Sequence, residues 1–235
     1  MRIAHRGASE LFLENSPKAF RKAIQQGADW VECDVHKSKD GELIVMHDFD
    51  LSKTTTGKGL IGDMSLSEIR KFELKNGEPI PTLRDVIDLI KGKAGLYCEL
   101  KVQGMEEEFV RIVTENGHID KTIAISFHHP VLKKIKQLEP RIKTSVLVTA
   151  IPMDPIAVVR SAGADFFHPC WEYRLARPHK LSTPDLINSL KKEGIGIISW
   201  HEERYEELRE LMKLGLVGIC TNRPDILSMV VKACR

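Results

Sequence analysis

The sequence predicts an α/β fold of the (β/α)8 TIM-barrel type, and three observations carry that expectation. Short apolar runs alternate with amphipathic helical stretches along the whole chain, eight of each. Proline recurs in the first turn of the proposed helices, at Pro17, Pro130, Pro155, Pro184 and Pro224, where its missing N–H costs nothing. Glycine follows several of the same helices, at Gly27, Gly163, Gly194 and Gly215, the place of a left-handed C-terminal residue. Eight regular units in 235 residues favour a parallel sheet closed on itself over a doubly wound open sheet. No GxGxxG run follows the first strand, which lowers a dinucleotide-binding reading further.

In order, strands are expected at 2–5, 30–36, 95–101, 121–126, 144–148, 164–168, 195–200 and 216–221. Helices are expected near 17–26, 82–91, 105–116, 129–138, 154–162, 183–193, 203–214 and 223–233. Ser16, Asp154 and Thr183 precede helix-starting prolines as capping residues. Glu14 and Asn15 are further candidates to cap the first helix or to bind ligand. The acidic runs Glu106-Glu107-Glu108 and Glu202 to Glu207 read as first-turn residues favoured by the helix dipole.

Residues 37–81 interrupt the rhythm between the second strand and its helix. They contain a short apolar run, Leu43 to Met46, a polar glycine-rich loop over 52–63, and a short helix over 65–74 opened by the capping-box pair Ser65 and Glu68. The chain reads as a single barrel domain, 1–235, with this insert projecting over the C-terminal face of the barrel strands, where barrel active sites lie.

A net charge of +2 argues against nucleic acid and against strong adsorption on anionic membranes. The five cysteines are odd in number and widely spaced, without a CxxC pair, so buried reduced thiols are expected rather than disulfides or structural zinc. No run is long enough to span a bilayer and no signal-type segment precedes the first strand, which gives the expectation of a soluble cytoplasmic protein.

Chemistry concentrates at the predicted strand ends. In Trp30-Val31-Glu32-Cys33-Asp34-Val35, the period of two puts Glu32 and Asp34 on one side, and Tyr97-Cys98-Glu99-Leu100-Lys101 does the same for Glu99 and Lys101. Buried like charges need a positive partner. A hard divalent cation, Mg2+ or Ca2+, matches this all-oxygen set better than zinc. His5 and Arg6 end the first strand, His47 ends the inserted apolar run, and Trp200 ends the seventh strand. Cation, Arg6 and Lys101 together suit an anionic phosphoryl group, while two imidazoles can divide proton removal from proton donation. Hydrolysis of a phosphate ester uses them all.

These residues resemble the glycerophosphodiester phosphodiesterase family. The likeness runs through His5-Arg6-Gly7, Glu14-Asn15-Ser16, Gly27 to Val35, Ser38 to Gly41, His47-Asp48, Leu51 to Thr55, Ile80 to Leu83, Glu99-Leu100-Lys101 and Gly218 to Asp225. It implies a barrel with an insert and a divalent metal on Glu32, Asp34 and Glu99. It also implies His5 and His47 as a catalytic acid–base pair, with Arg6 and Lys101 on the phosphate; which histidine is acid and which is base stays open at this point, with His5 as base the favoured order. The implied reaction takes small glycerophosphodiesters such as glycerophosphocholine or glycerophosphoethanolamine to glycerol 3-phosphate and an alcohol. The chain departs from the family at Trp200-His201-Glu202-Glu203, where Trp-Thr-Val-Asn is frequent, and at Ser126-Phe127-His128, where Ser-Phe-Asp is frequent. Both departures fall on the substrate side of the rim.

Structural readings stand beside these. The two histidines can be hydrogen-bonded strand-end residues, the carboxylates can form ion pairs with Arg6 or Lys101, and Trp200 can plug the barrel end rather than touch glycerol. A lysophospholipase D-like activity on single-chain phospholipids is the alternative function, ranked second because the 52–63 loop is polar; a catalytically inert phosphate-binding barrel ranks third.

Overall fold

In the computed structural model, which describes residues 1–171 and 176–234, eight parallel strands close into a barrel. The elements are β1 (Arg2–Ala4), α1 (Pro17–Gln25), β2 (Trp30–Lys37), β3 (Leu43–Val45), the single turn α2 (Leu66–Ile69), α3 (Leu83–Ile90), β4 (Gly95–Leu100), α4 (Glu106–Glu115) and β5 (Thr122–Ser126). They continue with α5 (His129–Leu138), β6 (Lys143–Val148), α6 (Pro155–Ala162), β7 (Phe166–Pro169), α7 (Pro184–Lys192), β8 (Gly196–Ser199), α8 (Tyr205–Lys213), β9 (Gly218–Thr221) and α9 (Pro224–Ala233). Around the barrel the order is β1-β2-β4-β5-β6-β7-β8-β9, closed by β1 pairing with both β2 and β9.

The two faces of each strand divide as strand periodicity requires. Val31, Cys33, Val35, Leu96 and Cys98 face the helices and join Phe20, Leu83, Phe109 and Leu132 in the larger apolar layer. Ile3, Tyr97, Ile123, Ile125, Leu147, Ile198 and Cys220 fill the barrel interior. The alternation that sends Cys33 and Cys98 outward sends Glu32, Asp34 and Glu99 inward. In the β2–β4 ladder Asp34 is the direct partner of Glu99, so two carboxylates stand side by side on neighbouring strands.

Local signals behave as expected at most helix ends. Ser16, Asp154 and Thr183 accept backbone N–H bonds as N-caps, and each is followed by proline. Two readings require correction. Glu14 and Asn15 do not cap α1: Ser16 does, and Asn15 turns its side chain to Asp34 instead. Glu202 and Glu203 precede α8 rather than forming its first turn. Glu202 is buried, accepts from the backbone N–H groups of Glu203 and Arg204, and pairs with the Arg204 guanidinium.

Within 37–81, β3 runs antiparallel to β2, with Val35 opposite Val45. The capping box of Ser65 and Glu68 is formed, but α2 ends at Ile69 instead of 74, because the chain turns at Arg70 to bury Leu74 with Ile44, Met46, Leu51, Ile61 and Ile80. This small separate core gives the insert its own packing.

Candidate active site

The C-terminal ends of β1, β2 and β4 supply the charged centre. The carboxylates of Glu32, Asp34 and Glu99 are buried, and ligand atoms from the three lie within 4.8 Å of one another. Lys101 Nζ sits 2.9 Å from Asp34 Oδ1 and 2.8 Å from Glu99 Oε1. Arg6 Nε lies 3.3 Å from Asp34 Oδ2, its backbone N–H donates to Glu32 Oε2 at 2.7 Å, and its other end pairs with Glu14 at 3.1 Å.

The backbone here is strained. Arg6 and Asn15 are the non-glycine residues with left-handed φ among those described, 53° and 55°. Such conformations cost free energy and persist where surrounding contacts over-determine them. Here those contacts converge on Asp34, to which Asn15 Nδ2 donates at 2.8 Å. Gly7 follows at φ 83°, and a Cβ there would come within 2.7 Å of the Ala19 backbone, so only glycine lets the strand end turn against α1.

Electrostatics separate the three carboxylates. Burial raises the Asp34 carboxyl, but Lys101, Arg6 and His47 outweigh it and hold Asp34 well below the usual range. Burial and then the charge of Asp34 push Glu99 up to about 7, against the opposing pull of Lys101. Glu32 is driven well above its ordinary value by burial and by Asp34. Two of three carboxylates therefore resist ionisation beside the third. With all three ionised they would outnumber the fixed cations Arg6 and Lys101, and a buried, all-oxygen set of this kind fits a hard divalent cation.

The two histidines sit on opposite supports. His5 Nδ1 is 2.7 Å from Asn222 Oδ1, its Nε2 accepts from Trp200 Nε1 at 3.1 Å, and its ring stacks on His201 at 4.9 Å. A ring that donates through Nδ1 and accepts through Nε2 is neutral. Burial first, then Arg6 and His201, keep it so by lowering its pKa well below the ordinary imidazole value. His47 pairs Nδ1 with Asp48 Oδ1 at 2.6 Å, and Asp48 in turn reaches Lys53 at 3.1 Å. That leaves Nε2 on the opposite edge of the ring. His36 on β2 fixes the insert by bonding the His47 carbonyl at 2.9 Å, while the Met46 N–H donates to the Asp34 carbonyl.

The structure thus brings together His5, Arg6, Glu32, Asp34, Glu99, Lys101 and Trp200, with His47 joined through the insert. Sequence reasoning gave no role to Asn222 or His168, and placed His201 and Glu203 on the substrate side of the rim without a partner. Asn222 holds His5 and is held by Ser9 Oγ at 2.8 Å; Glu203 accepts from the Asn222 N–H and pairs with His201 Nδ1. His168, buried on β7, bonds the Tyr97 hydroxyl at 2.8 Å. Asn222 and His201 both lie immediately beyond a strand end, the one positional signal that could have found them.

A family model described as the glycerophosphoryl diester phosphodiesterase family matches residues 5–226. The chain belongs to that family. It is a phosphoric diester hydrolase. It is 33% identical to a glycerophosphodiester phosphodiesterase of Caldanaerobacter subterraneus subsp. tengcongensis over 98% of this chain and 97% of the other. A crystal structure of a glycerophosphodiester phosphodiesterase from Agrobacterium tumefaciens superposes with a TM-score of 0.86 at 28% identity, covering 97% and 98% of the two chains. An Oleispira antarctica phosphodiesterase, solved with the product sn-glycerol-3-phosphate, has the same TM-score and 28% identity over 99% and 96%. Among the described residues no helix is long and apolar enough to cross a membrane.

Proposed function

We propose that the chain hydrolyses small glycerophosphodiesters to glycerol 3-phosphate and an alcohol, with a divalent cation on Glu32, Asp34 and Glu99 and with His5 and His47 as base and acid. The observation that carries this reading is the buried trio of carboxylates within 4.8 Å, flanked by Arg6 and Lys101 and by an imidazole on each support. Mg2+ or Ca2+ suits the oxygen donors, and when bound it supplies positive charge to the phosphoryl oxygens and the nucleophile.

The protein groups do the rest. Arg6 and Lys101 bind non-bridging phosphate oxygens and stabilise charge that grows in the transition state. His5, neutral and aligned by Asn222, takes the proton of the attacking water or substrate hydroxyl at Nε2 once Trp200 yields that position. His47 enters the step as the imidazolium, its Nδ1–H held by Asp48 against the burial that lowers its pKa, and gives its Nε2 proton to the departing alkoxide, ending as the neutral ring. The insert 37–81 delivers His47 to this mouth, which is its role in the reading.

Phe49, 69% exposed and two residues beyond His47, favours a second reading in which a single acyl chain rests beside the site. Incubation with glycerophosphocholine, glycerophosphoethanolamine and lysophosphatidylcholine separates them. Release of glycerol 3-phosphate from the first two supports the main reading; turnover confined to the lysolipid replaces it with the second. No turnover of any of them contradicts both.

A further inference from the structure

Among the buried polar groups inside the barrel that the proposed machinery leaves unused is an imidazole. His168 on β7 is 1% exposed, and its Nε2 has no protein partner. A small cavity of about 10 Å3 lies between this residue and the charged centre, lined by His5, Glu32, Glu99, His168, Trp200 and apolar residues of the barrel interior. That volume admits the centre of about one water molecule. A buried imidazole nitrogen without a hydrogen bond costs free energy, so a polar partner is required there.

The tautomer follows from the neighbours. Nδ1 faces the Tyr97 hydroxyl at 2.8 Å. Burial pushes the His168 pKa down to about 3, so the ring is neutral and carries one N–H. The same cavity is lined by the carboxyl groups of Glu32 and Glu99, whose oxygens can accept hydrogen bonds. The consistent arrangement has the Tyr97 O–H donating to Nδ1 and the Nε2–H pointing into the cavity.

From this geometry we infer that His168 is a positioning residue for the carboxylate cluster: its Nε2–H, directed by Tyr97, holds one water that hydrogen-bonds to Glu32 and Glu99. The water orients the side chains of Glu32 and Glu99 and keeps their oxygens within reach of one cation. The effect acts through ligand orientation, as outer partners of metal ligands generally do. It rests on the reading of Glu32, Asp34 and Glu99 as cation ligands.

Calorimetric titration of metal-stripped protein with Mg2+ and with Ca2+ tests it, alongside the crystal structure of the wild type. His168→Phe is expected to weaken cation binding about 10- to 100-fold. His168→Gln, whose amide can restore a donor, is expected to recover most of the loss. Tyr97→Phe, which leaves His168 in place but frees its tautomer, is expected to weaken binding severalfold. A water within hydrogen-bond distance of His168 Nε2 and of a Glu32 or Glu99 oxygen is expected in the map. Unchanged affinity in folded His168→Phe, or a dry cavity, overturns the assignment. If His168→Phe fails to fold, Tyr97→Phe and the map decide. If the wild type takes up neither cation, the metal reading itself fails, and the water in the map alone decides for or against the link between His168 and the carboxylates.

Discussion

Trp200 Nε1 lies 3.1 Å from His5 Nε2 and donates its hydrogen to it, so the nitrogen proposed to take a proton is held by an indole. A donor on that nitrogen stabilises the neutral ring and adds to what burial, Arg6 and His201 already do. The sign follows directly. A base with a depressed pKa stays unprotonated to lower pH, so the acid limb of kcat/KM is expected below the ordinary imidazole value near 6.5. Trp200→Phe removes the donor and is expected to move that limb to higher pH. A pH–rate profile of the two proteins checks this; an unmoved limb contradicts the proposed part of His5 as base.

His5→Ala and His47→Ala are each expected to lower kcat by about a hundred-fold or more, in keeping with acid–base contributions. Asp48→Asn retains the His47 ring but weakens its brace, and about a tenfold loss is expected, since such supporting groups typically cost 10- to 100-fold. Glycerol 3-phosphate release under saturating substrate measures all three. Near-wild-type rates in both histidine variants contradict the assignment.

Glu99 contributes to the pH dependence of stability without metal, in the same direction as Glu32. Its carboxyl is raised to about 7, so the folded state binds the proton more tightly than the unfolded chain. The stabilising contribution is therefore fully present below the ordinary value of 4.5 and is lost as pH rises through about 7. In EDTA the melting temperature is expected to fall between about pH 5 and pH 8, as the linkage relation requires. Glu99→Gln, which cannot ionise, is expected to flatten the fall. Thermal melts by circular dichroism across that range give the answer.

Gly7→Ala is expected to destabilise the protein by about 1–3 kcal/mol, through strain at a left-handed backbone position. The clash with the Ala19 backbone also displaces Arg6, so activity is expected to fall more than stability alone requires. Denaturant unfolding and kinetics on the same sample separate the two effects.

The barrel was legible because its cues are local. Proline at helix starts, glycine at helix ends and the two-residue alternation in β2 and β4 are each written within a few residues, and the alternation alone sends Glu32, Asp34 and Glu99 to the inner face. Boundaries moved where tertiary packing intervened: α2 stops at Ile69 because burying Leu74 in the insert's core outweighs continuing the helix. Trp200 was expected at the same rim, but that it and Asn222 support His5 was not legible, since they stand 195 and 217 residues away from it. His168 was hidden for the same reason: its partner Tyr97 is 71 residues distant, and a histidine in an apolar strand carries no mark of what it faces.

The most direct test of the whole reading is glycerol 3-phosphate release from glycerophosphocholine by protein stripped with EDTA, then supplied with Mg2+ or Ca2+. Loss of activity on stripping and recovery with either cation is the expected result. Undiminished turnover in excess chelator contradicts the role given to Glu32, Asp34 and Glu99.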